Sequence, residues 1–183
     1  MKVHETPLPG VLLIEPDVYA DARGSFRETF RDGRYAEQGI AGPFTQDNIS
    51  VSRKGVLRGL HIQAPVGQGK LIFAVAGAIF DVAVDARPGS PNFGQWMGET
   101  LSADNHRQLW VPAGFLHGFC VLSEEATVFY KCTQSYIADQ QRSVRWDDPD
   151  IGIIWPVRAP ILSAADAAAP LLRDADFVRT MVE

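Results

Sequence analysis

Two of the four histidines lie in sequence that suits proton transfer. His61 and His117 are each embedded among apolar residues and glycine, whereas His4 lies near the N-terminus and His106 follows a polar turn. Neutral imidazole, with an ordinary pKa of about 6.5, is the usual general base near neutral pH, and a carboxylate commonly fixes its tautomer. Each of the first two could equally be a hydrogen-bonded core histidine, and the sequence alone leaves that alternative open. We expect His4 and His106 to lie in solvent.

A metal site is the first alternative to acid–base chemistry. In a β-sandwich, such a site usually combines a His-x-His pair with a nearby carboxylate, because three ligands must converge on one ion. The residue two positions after His61 is Gln63, and the next glutamate along the chain is Glu99. The sequence therefore predicts neither a metal nor another cofactor.

Lys70 and Tyr130 are further side chains that could take part in proton transfer. Lys70, one of only four lysines, begins the most apolar stretch of the chain. A buried cation is costly without an anionic partner, so Lys70 either faces a site for an anion or extends from a strand end to water. Strand alternation places Tyr130 on one face with Val128 and Cys132, and Lys131 on the other. A buried tyrosine with a hydrogen-bonded hydroxyl is the alternative for Tyr130.

Arg58 and His61 are three residues apart, so they cannot point into one pocket from a regular strand. Alternation would place their side chains on opposite faces of the strand. If both serve one pocket, the strand must contain a bulge, and Gly59 is the residue that would permit it. The sequence therefore predicts a β-bulge at Gly59, and a regular ladder there would argue against the shared pocket.

The segments that carry these side chains are short runs of β-branched and aromatic residues, separated by clusters of proline and glycine. Many short strands at such spacing are typical of an all-β sandwich or barrel. The longest run is apolar on both faces, which predicts a central position in the fold, and Gly77 is a candidate break within it. The predicted strands cover residues 56–63, 70–85, 108–111 and 127–133.

Helical signals are weak and confined to short segments. Residues 32–39 could form a short helix that ends at Gly39. Ser163 is placed to cap a helical turn that contains Asp166. The tail at residues 174–181 is ambiguous. We therefore expect only short, peripheral helices.

Length and composition indicate a single domain, residues 1–183. Domains of roughly 100–200 residues are common. Apolar residues make up 46% of the chain and charged residues 21%, which is an ordinary globular composition. Glycine and proline are scattered rather than concentrated, so the sequence shows neither a linker nor an internal repeat.

Charge and cysteine content argue against several functions. A net charge of −5 disfavours nucleic-acid and anionic-membrane partners, although arginines could still gather at a site for a small anion. Cys120 and Cys132 lack metal-ligand spacing and are expected to be buried thiols.

The N-terminal sequence lacks the apolar region of a signal peptide, and no apolar run approaches the roughly 20 residues that span a bilayer. We therefore expect a cytoplasmic protein.

A series of segments closely resembles the dTDP-4-dehydrorhamnose 3,5-epimerase family, a metal-free branch of the cupins. In order, they are VLRGLHIQ, QGKL, DVAVDAR, SPNFGQW, QLWVPAGFLHGF, VFYKCT and RWDDPDIGIIWP, and the resemblance extends over nearly the whole chain. It implies a cupin-type jelly-roll β-sandwich and a homodimer with exchanged N-terminal strands. The implied substrate is dTDP-4-dehydro-6-deoxy-D-glucose, inverted at C3 and C5 to dTDP-4-dehydro-L-rhamnose on the route to dTDP-L-rhamnose.

The resemblance also implies roles for individual side chains. The family's base matches His61, and the aspartate that orients the base matches Asp166. Its proton donor matches Tyr130, and the lysine near the developing enolate oxygen matches Lys70. The positions that match substrate contacts are Arg23, Phe26, Glu28, Gln46, Asn48, Arg58, His117, Tyr136 and Gln141.

The chain departs from the family pattern at four positions. Ile62 stands where an aromatic residue is usual, Ser135 replaces the first of two tyrosines, Gln141 replaces a glutamate and Ala165 replaces a lysine. These changes bear on substrate binding more than on the proton-transfer set. A mono-epimerase that acts at C3 or C5 alone is therefore the alternative function. A non-catalytic protein that binds nucleotide sugars is a second alternative.

Overall fold

The structure, a computed structural model, describes residues 1–177. Within that range the chain forms short antiparallel strands and brief helical turns. The strands are β1 (Lys2–Glu5), β2 (Leu12–Glu15), β3 (Val18–Asp21), β4 (Gly24–Arg27), β5 (Gln46–Arg53), β6 (Leu57–Gln63), β7 (Lys70–Ala76), β8 (Ala78–Asp85), β9 (Trp96–Ser102), β10 (Gln108–Val111), β11 (Phe115–Val121), β12 (Glu125–Cys132) and β13 (Gln141–Ser143).

Two large sheets pack face to face. One has six strands in the order β1-β2-β10-β7-β12-β5, and the other has five in the order β13-β6-β11-β8-β9. Strands β3 and β4 form a separate two-stranded hairpin. Because neighbours within each sheet come from distant parts of the sequence, the chain crosses repeatedly between the sheets. This is the cupin-type jelly-roll β-sandwich that the sequence predicts.

The predicted strands are present, with one instructive difference. Residues 108–111 form β10 as predicted, whereas residues 70–85 form two strands, β7 and β8, in different sheets. The break falls at Gly77, whose φ is +71° and where a Cβ would lie 2.1 Å from the carbonyl oxygen of Glu125. Only glycine fits that backbone conformation and that contact. Each half lies in the interior of its sheet, so the predicted central position holds for both.

Strand alternation sorts the apolar side chains into an inner and an outer cluster. Ile72 and Leu109 of the six-stranded sheet meet Phe119 of the five-stranded sheet in the core between the layers. The opposite face of the five-stranded sheet presents Val82 and Leu116 to the segment after β13. Because that face is covered by the chain itself, both sides of the five-stranded sheet are buried and its strands are held rigidly.

Helices are short and peripheral, as predicted. Helix α1 (Asp32–Ala36) ends earlier than residues 32–39 suggested, and the turns that follow it lead to Gly39, which has φ +80°. Helix α2 (Ala164–Ala167) is capped by Ser163, as predicted. Residues 172–174 form a turn of 3-10 helix, and residues 178–181 of the ambiguous tail lie outside the described residues. No helix within residues 1–177 is long and apolar enough to cross a membrane.

Candidate active site

A cavity of about 630 Å³ lies between the two sheets. Its volume is in the range that accommodates a small organic ligand. Ten of the residues predicted to act on substrate line it, and three do not. Those that line it are His61, Lys70, Tyr130, Asp166, Gln46, Asn48, Arg58, His117, Tyr136 and Gln141. Those that do not are Arg23, Phe26 and Glu28.

The bulge predicted in β6 is present and aims two side chains into this cavity. His61 lies opposite His117 of β11, but the next pair joins Arg58 to Phe119, so β6 contains one extra residue. Gly59 lies in the bulge with φ +112°, and a Cβ there would be 2.7 Å from the carbonyl oxygen of His117. This backbone arrangement requires glycine. The prediction that Arg58 and His61 share a pocket is confirmed.

His61 forms a pair with Asp166, which is 105 residues away in the chain. The ring nitrogen Nε2 of His61 lies 2.6 Å from Oδ1 of Asp166. Asp166 is buried in the first turn of α2, where its backbone N–H donates to the Ser163 hydroxyl. The carboxylate holds one ring nitrogen of His61, which leaves the other for a ligand in the cavity. Pairing with a carboxylate is a common way to orient a histidine that acts as a base and to stabilise its protonated form.

Opposing effects set the pKa of the Asp166 carboxyl. Burial alone would raise that pKa. The hydrogen bond and charge of His61, the Ser163 side chain and the backbone N–H of Gly59 outweigh burial and bring the pKa below its usual value. Asp166 is therefore ionised at neutral pH, which is the state that a supporting carboxylate requires.

A second histidine–aspartate pair lies beside the first. Nε2 of His117 is 3.0 Å from both carboxylate oxygens of Asp81, which has no exposed surface. Sequence reasoning missed Asp81, although an aspartate in the middle of the apolar strand β8 was a usable signal. The pair satisfies His117 in the way expected of a core histidine, and His117 also lines the cavity. The core-histidine interpretation therefore holds, and a role of His117 in substrate binding stays a prediction.

Lys70 is a buried cation at the cavity wall. It begins β7 and is only 8% exposed, so the alternative that it extends to water is wrong. Burial lowers the pKa of its ammonium group, while the nearby Cys132 and Asp81 act in the opposite direction. A lysine held in this way is poised to interact with an anion or a developing negative charge.

Tyr130 reaches the same cavity from the six-stranded sheet, which also carries Lys70 and faces the sheet of His61. It projects from β12 on the face that also carries Cys132, whereas Lys131 points outward and bonds to Asp47, as alternation predicts. Burial raises the pKa of the Tyr130 hydroxyl, the neighbouring Cys132 adds to this effect, and Arg58 opposes it. The hydroxyl therefore keeps its proton at neutral pH. No residue in the described range forms a hydrogen bond with it, so the satisfied-tyrosine alternative is not supported.

The three predicted residues outside the cavity belong to or follow the β3–β4 hairpin. Arg23, at the hairpin turn, is paired with Asp21, and Phe26 is 70% exposed. Glu28 is paired with Arg34 just beyond the hairpin. A single chain therefore does not bring these residues to its own cavity, and their role stays a prediction.

The remaining expectations concern histidines and cysteines away from the proton-transfer set. Cys120 and Cys132 are free and buried, as predicted. His4 is about half exposed, with its ring near Glu15. His106 was expected in solvent but is half-buried, because its turn folds back onto β9 and encloses its Nδ1.

No group of three or more histidine, cysteine, aspartate or glutamate side chains in residues 1–177 is arranged to hold a metal ion. At the position where a His-x-His pair would have its second histidine, Gln63 accepts a hydrogen bond from the backbone N–H of Ile137 at 3.0 Å.

The fold is a cupin-type sandwich whose cavity brings together a histidine–aspartate pair, a lysine and a tyrosine. A family model described as dTDP-4-dehydrorhamnose 3,5-epimerase matches residues 5–174. The chain belongs to this family, whose members are isomerases, and the resemblance found in the sequence is therefore confirmed.

Individual relatives are similar to this chain over most of its length. A dTDP-4-dehydrorhamnose 3,5-epimerase from Neisseria gonorrhoeae is 54% identical over 92% of this chain, which spans about half (52%) of that relative's length. One from Shigella flexneri is 51% identical and covers 97% of this chain and 99% of its own. A solved dTDP-6-deoxy-D-glucose-3,5-epimerase from Legionella pneumophila, in complex with dTDP-4-keto-L-rhamnose, is 50% identical. It superposes with a TM-score of 0.92 over 94% of this chain and 93% of its own.

Proposed function

We propose that this chain inverts C3 and C5 of dTDP-4-dehydro-6-deoxy-D-glucose to give dTDP-4-dehydro-L-rhamnose. The observation that carries the proposal is the placement of His61 and Tyr130. One projects from the five-stranded sheet and the other from the six-stranded sheet, into one cavity. Inversion at carbon requires a base on one face and a proton donor on the other, and opposing sheets supply the two faces.

The substrate's own chemistry explains why one such pair can serve two carbons. C3 and C5 both flank the C4 ketone, so removal of either proton gives an enolate conjugated with that carbonyl. In the proposal, His61 removes the proton with Asp166 supporting the imidazolium, and Tyr130 delivers a proton to the opposite face. The raised pKa of Tyr130 suits a donor that must hold its proton until the enolate forms.

Lys70 is assigned to the enolate oxygen in this scheme. It is buried at the cavity wall and belongs to the same sheet as Tyr130. A donor fixed in a water-poor site stabilises a developing oxyanion more strongly than the same group in water. Arg58 and His117, from the facing sheet, are assigned to the diphosphate, whose charge the Arg58 guanidinium complements.

The remaining contacts are proposed to come from a second copy in a homodimer with exchanged N-terminal strands. β1 pairs with β2 of its own chain, so the exposed β3–β4 hairpin is the N-terminal element available for exchange. It would carry Arg23, Phe26 and Glu28 into the partner's cavity. Apolar side chains on the outer face of the six-stranded sheet, among them Ile49 at 66% exposed, support an interface there.

We further propose that the reaction takes place in the cytoplasm. Cys120 and Cys132 are both unpaired, as is usual in compartments that keep thiols reduced.

Incubation with the substrate in D₂O tests the reaction. We expect deuterium at both C3 and C5 of the product, because each inversion delivers a solvent-derived proton. Deuterium at one carbon alone would replace the proposal with a mono-epimerase. Tight binding of dTDP with no exchange at either carbon would instead indicate a non-catalytic nucleotide-sugar-binding protein.

A further inference from the structure

The segment after β12 forms part of the cavity wall without belonging to either sheet. Residues 133–137 have no regular secondary structure, and they place Tyr136 at the cavity with 52% of its surface exposed. An irregular segment has no ladder to satisfy its backbone groups, so these must find other partners or water. What holds this segment therefore decides where the Tyr136 ring lies.

Three glutamine side chains supply partners for it. The backbone N–H of Tyr136 donates to Oε1 of Gln46 at 2.7 Å, and that of Ile137 donates to Oε1 of Gln63 at 3.0 Å. The side-chain amide of Gln68 donates to the carbonyl oxygen of Gln134 at 2.7 Å. Each carboxamide thus supplies a backbone group of the segment with the hydrogen-bond partner that a neighbouring strand would provide in a sheet.

The glutamines come from separate parts of the fold and are themselves well fixed. Gln46 begins β5 in one sheet, Gln63 ends β6 in the other, and Gln68 lies in the connection before β7. Gln63 is 5% exposed and Gln68 is 7% exposed, and all three line the cavity. A buried carboxamide is costly unless hydrogen-bonded, so its partner on the segment is strongly specified.

We infer that Gln63 and Gln68 are positioning residues that hold Tyr136 where it stacks on the base of the bound nucleotide. The inference rests on the proposed function, because it takes the ligand to be a dTDP-sugar. An exposed aromatic ring at a cavity mouth is a suitable platform for a planar base. Pre-fixing its backbone lowers the ordering cost of binding. The glutamines therefore act on nucleotide affinity and leave the proton-transfer steps unchanged.

A double-mutant cycle on dTDP binding tests this inference. Isothermal titration calorimetry with dTDP would compare wild type, Gln63→Met, Tyr136→Ala and the double variant. Loss of one hydrogen bond that orders the platform should raise the Kd of Gln63→Met for dTDP about five- to tenfold. Because Gln63 acts through Tyr136, the double variant should bind within about twofold of Tyr136→Ala alone.

Gln108→Met is the matched control for a purely structural effect. Gln108 is 1% exposed, lies outside the cavity and bonds to Tyr35 and to the carbonyl oxygen of Thr29. Its replacement should lower Tm but leave the Kd for dTDP unchanged. If Gln63→Met does not fold, Gln68→Met enters the same cycle under the same criteria.

An unchanged Kd in the Gln63 or Gln68 variant would overturn the inference. So would a double variant whose loss equals the product of the two single losses. Calorimetry requires no turnover, so the outcome is separate from the epimerisation test. If the wild type binds dTDP but exchanges no substrate protons, the proposed reaction is refuted. The double-mutant cycle still decides whether Gln63 and Gln68 position Tyr136.

Discussion

The two ends of the cavity are built in different ways. In the proposed function, the proton-transfer end comprises His61, Asp166, Tyr130 and Lys70, which lie on strands or on a capped helical turn and line one cavity. The proposed nucleotide end comprises Gln46, Asn48 and the Tyr136 segment, together with the hairpin residues Arg23 and Phe26, which do not line the cavity of their own chain. The first end is largely buried, whereas Tyr136 and Phe26 of the second are exposed.

This difference follows from what each end must do. Proton transfer requires the reacting groups within hydrogen-bonding reach of the substrate, and small displacements are costly. Regular strands and a capped helical turn provide that accuracy, and the strand that carries His61 belongs to a sheet buried on both faces. Nucleotide binding depends on several contacts that each contribute a modest share, so it can be assembled from an irregular segment and, in our proposal, from a second chain.

Replacement of His61 is expected to have the largest effect and to separate the two ends. His61→Asn removes the base, so turnover should fall by about 10³-fold or more, consistent with loss of a positioned general base. Exchange in D₂O should disappear at both C3 and C5, because one base serves both carbons. Binding of dTDP, measured by calorimetry, should stay within about twofold. Undiminished exchange in this variant would remove His61 as the base.

Lys70→Met should lower turnover by about 10²-fold, in the range for loss of one oxyanion donor.

Lys70→Met should also stabilise the folded protein, since burial lowers the pKa of Lys70 from its usual value of 10.5. Between the folded and unfolded pKa values the unfolded chain binds more protons, so wild-type stability rises with pH. The stability advantage of Lys70→Met should therefore shrink as pH rises towards 10.5 and then level off.

Denaturant unfolding at a series of pH values would measure that trend. Lys131→Met is the control, because Lys131 is on the outward face of β12 and is paired with Asp47. It should show no comparable gain in stability. A Lys70→Met advantage that is independent of pH would mean that Lys70 carries no buried-charge penalty.

Tyr130→Phe should have a smaller effect on turnover than His61→Asn and should separate the two faces of the proton-transfer end. Loss of the donor should slow product formation by about 10²-fold. Deprotonation from the His61 side should continue, so substrate recovered from D₂O should still contain deuterium. Nuclear magnetic resonance of recovered substrate and product distinguishes proton exchange from product formation. Equal loss of exchange and product formation would show that Tyr130 is not specific to the donor face.

Phe26→Ala is expected to have the smallest effect and to act at the nucleotide end alone. Phe26 is exposed within one chain, so its removal should leave Tm of an isolated chain unaltered. If the hairpin enters the partner's cavity, KM should rise about tenfold with kcat nearly constant, as expected when uniform binding is lost.

Mixed dimers test the exchange directly. A heterodimer of His61→Asn with Phe26→Ala contains one cavity with an intact His61 and, after exchange, an intact Phe26 from the partner. Its KM should return to the wild-type value. A KM that stays at that of Phe26→Ala would show that each hairpin serves its own chain.

Local patterns accounted for much of the proton-transfer end. The spacing of Arg58 and His61 predicted the bulge at Gly59, and alternation placed Tyr130 and Lys131 on opposite faces. Strand β5 was not predicted from the sequence, because its polar residues face inward and its apolar residues face outward. Its polar residues Gln46 and Asn48 face the cavity, while Ile49 is exposed on the outer face. A strand that lines a polar cavity does not carry the buried apolar face by which sequence patterns identify strands.

The sequence by itself determined the chemical types available: a histidine without a metal-binding partner, a lysine at the start of an apolar strand, a tyrosine on the strand face opposite Lys131 and a glycine that permits a bulge. Alternation and glycine's conformational freedom are local properties, so one chain segment suffices to encode them. Only the tertiary structure decided that Asp166 meets His61 and that His61 and Tyr130 face each other from opposing sheets. Those pairings depend on the order of strands, which is fixed when distant segments bury their apolar faces together.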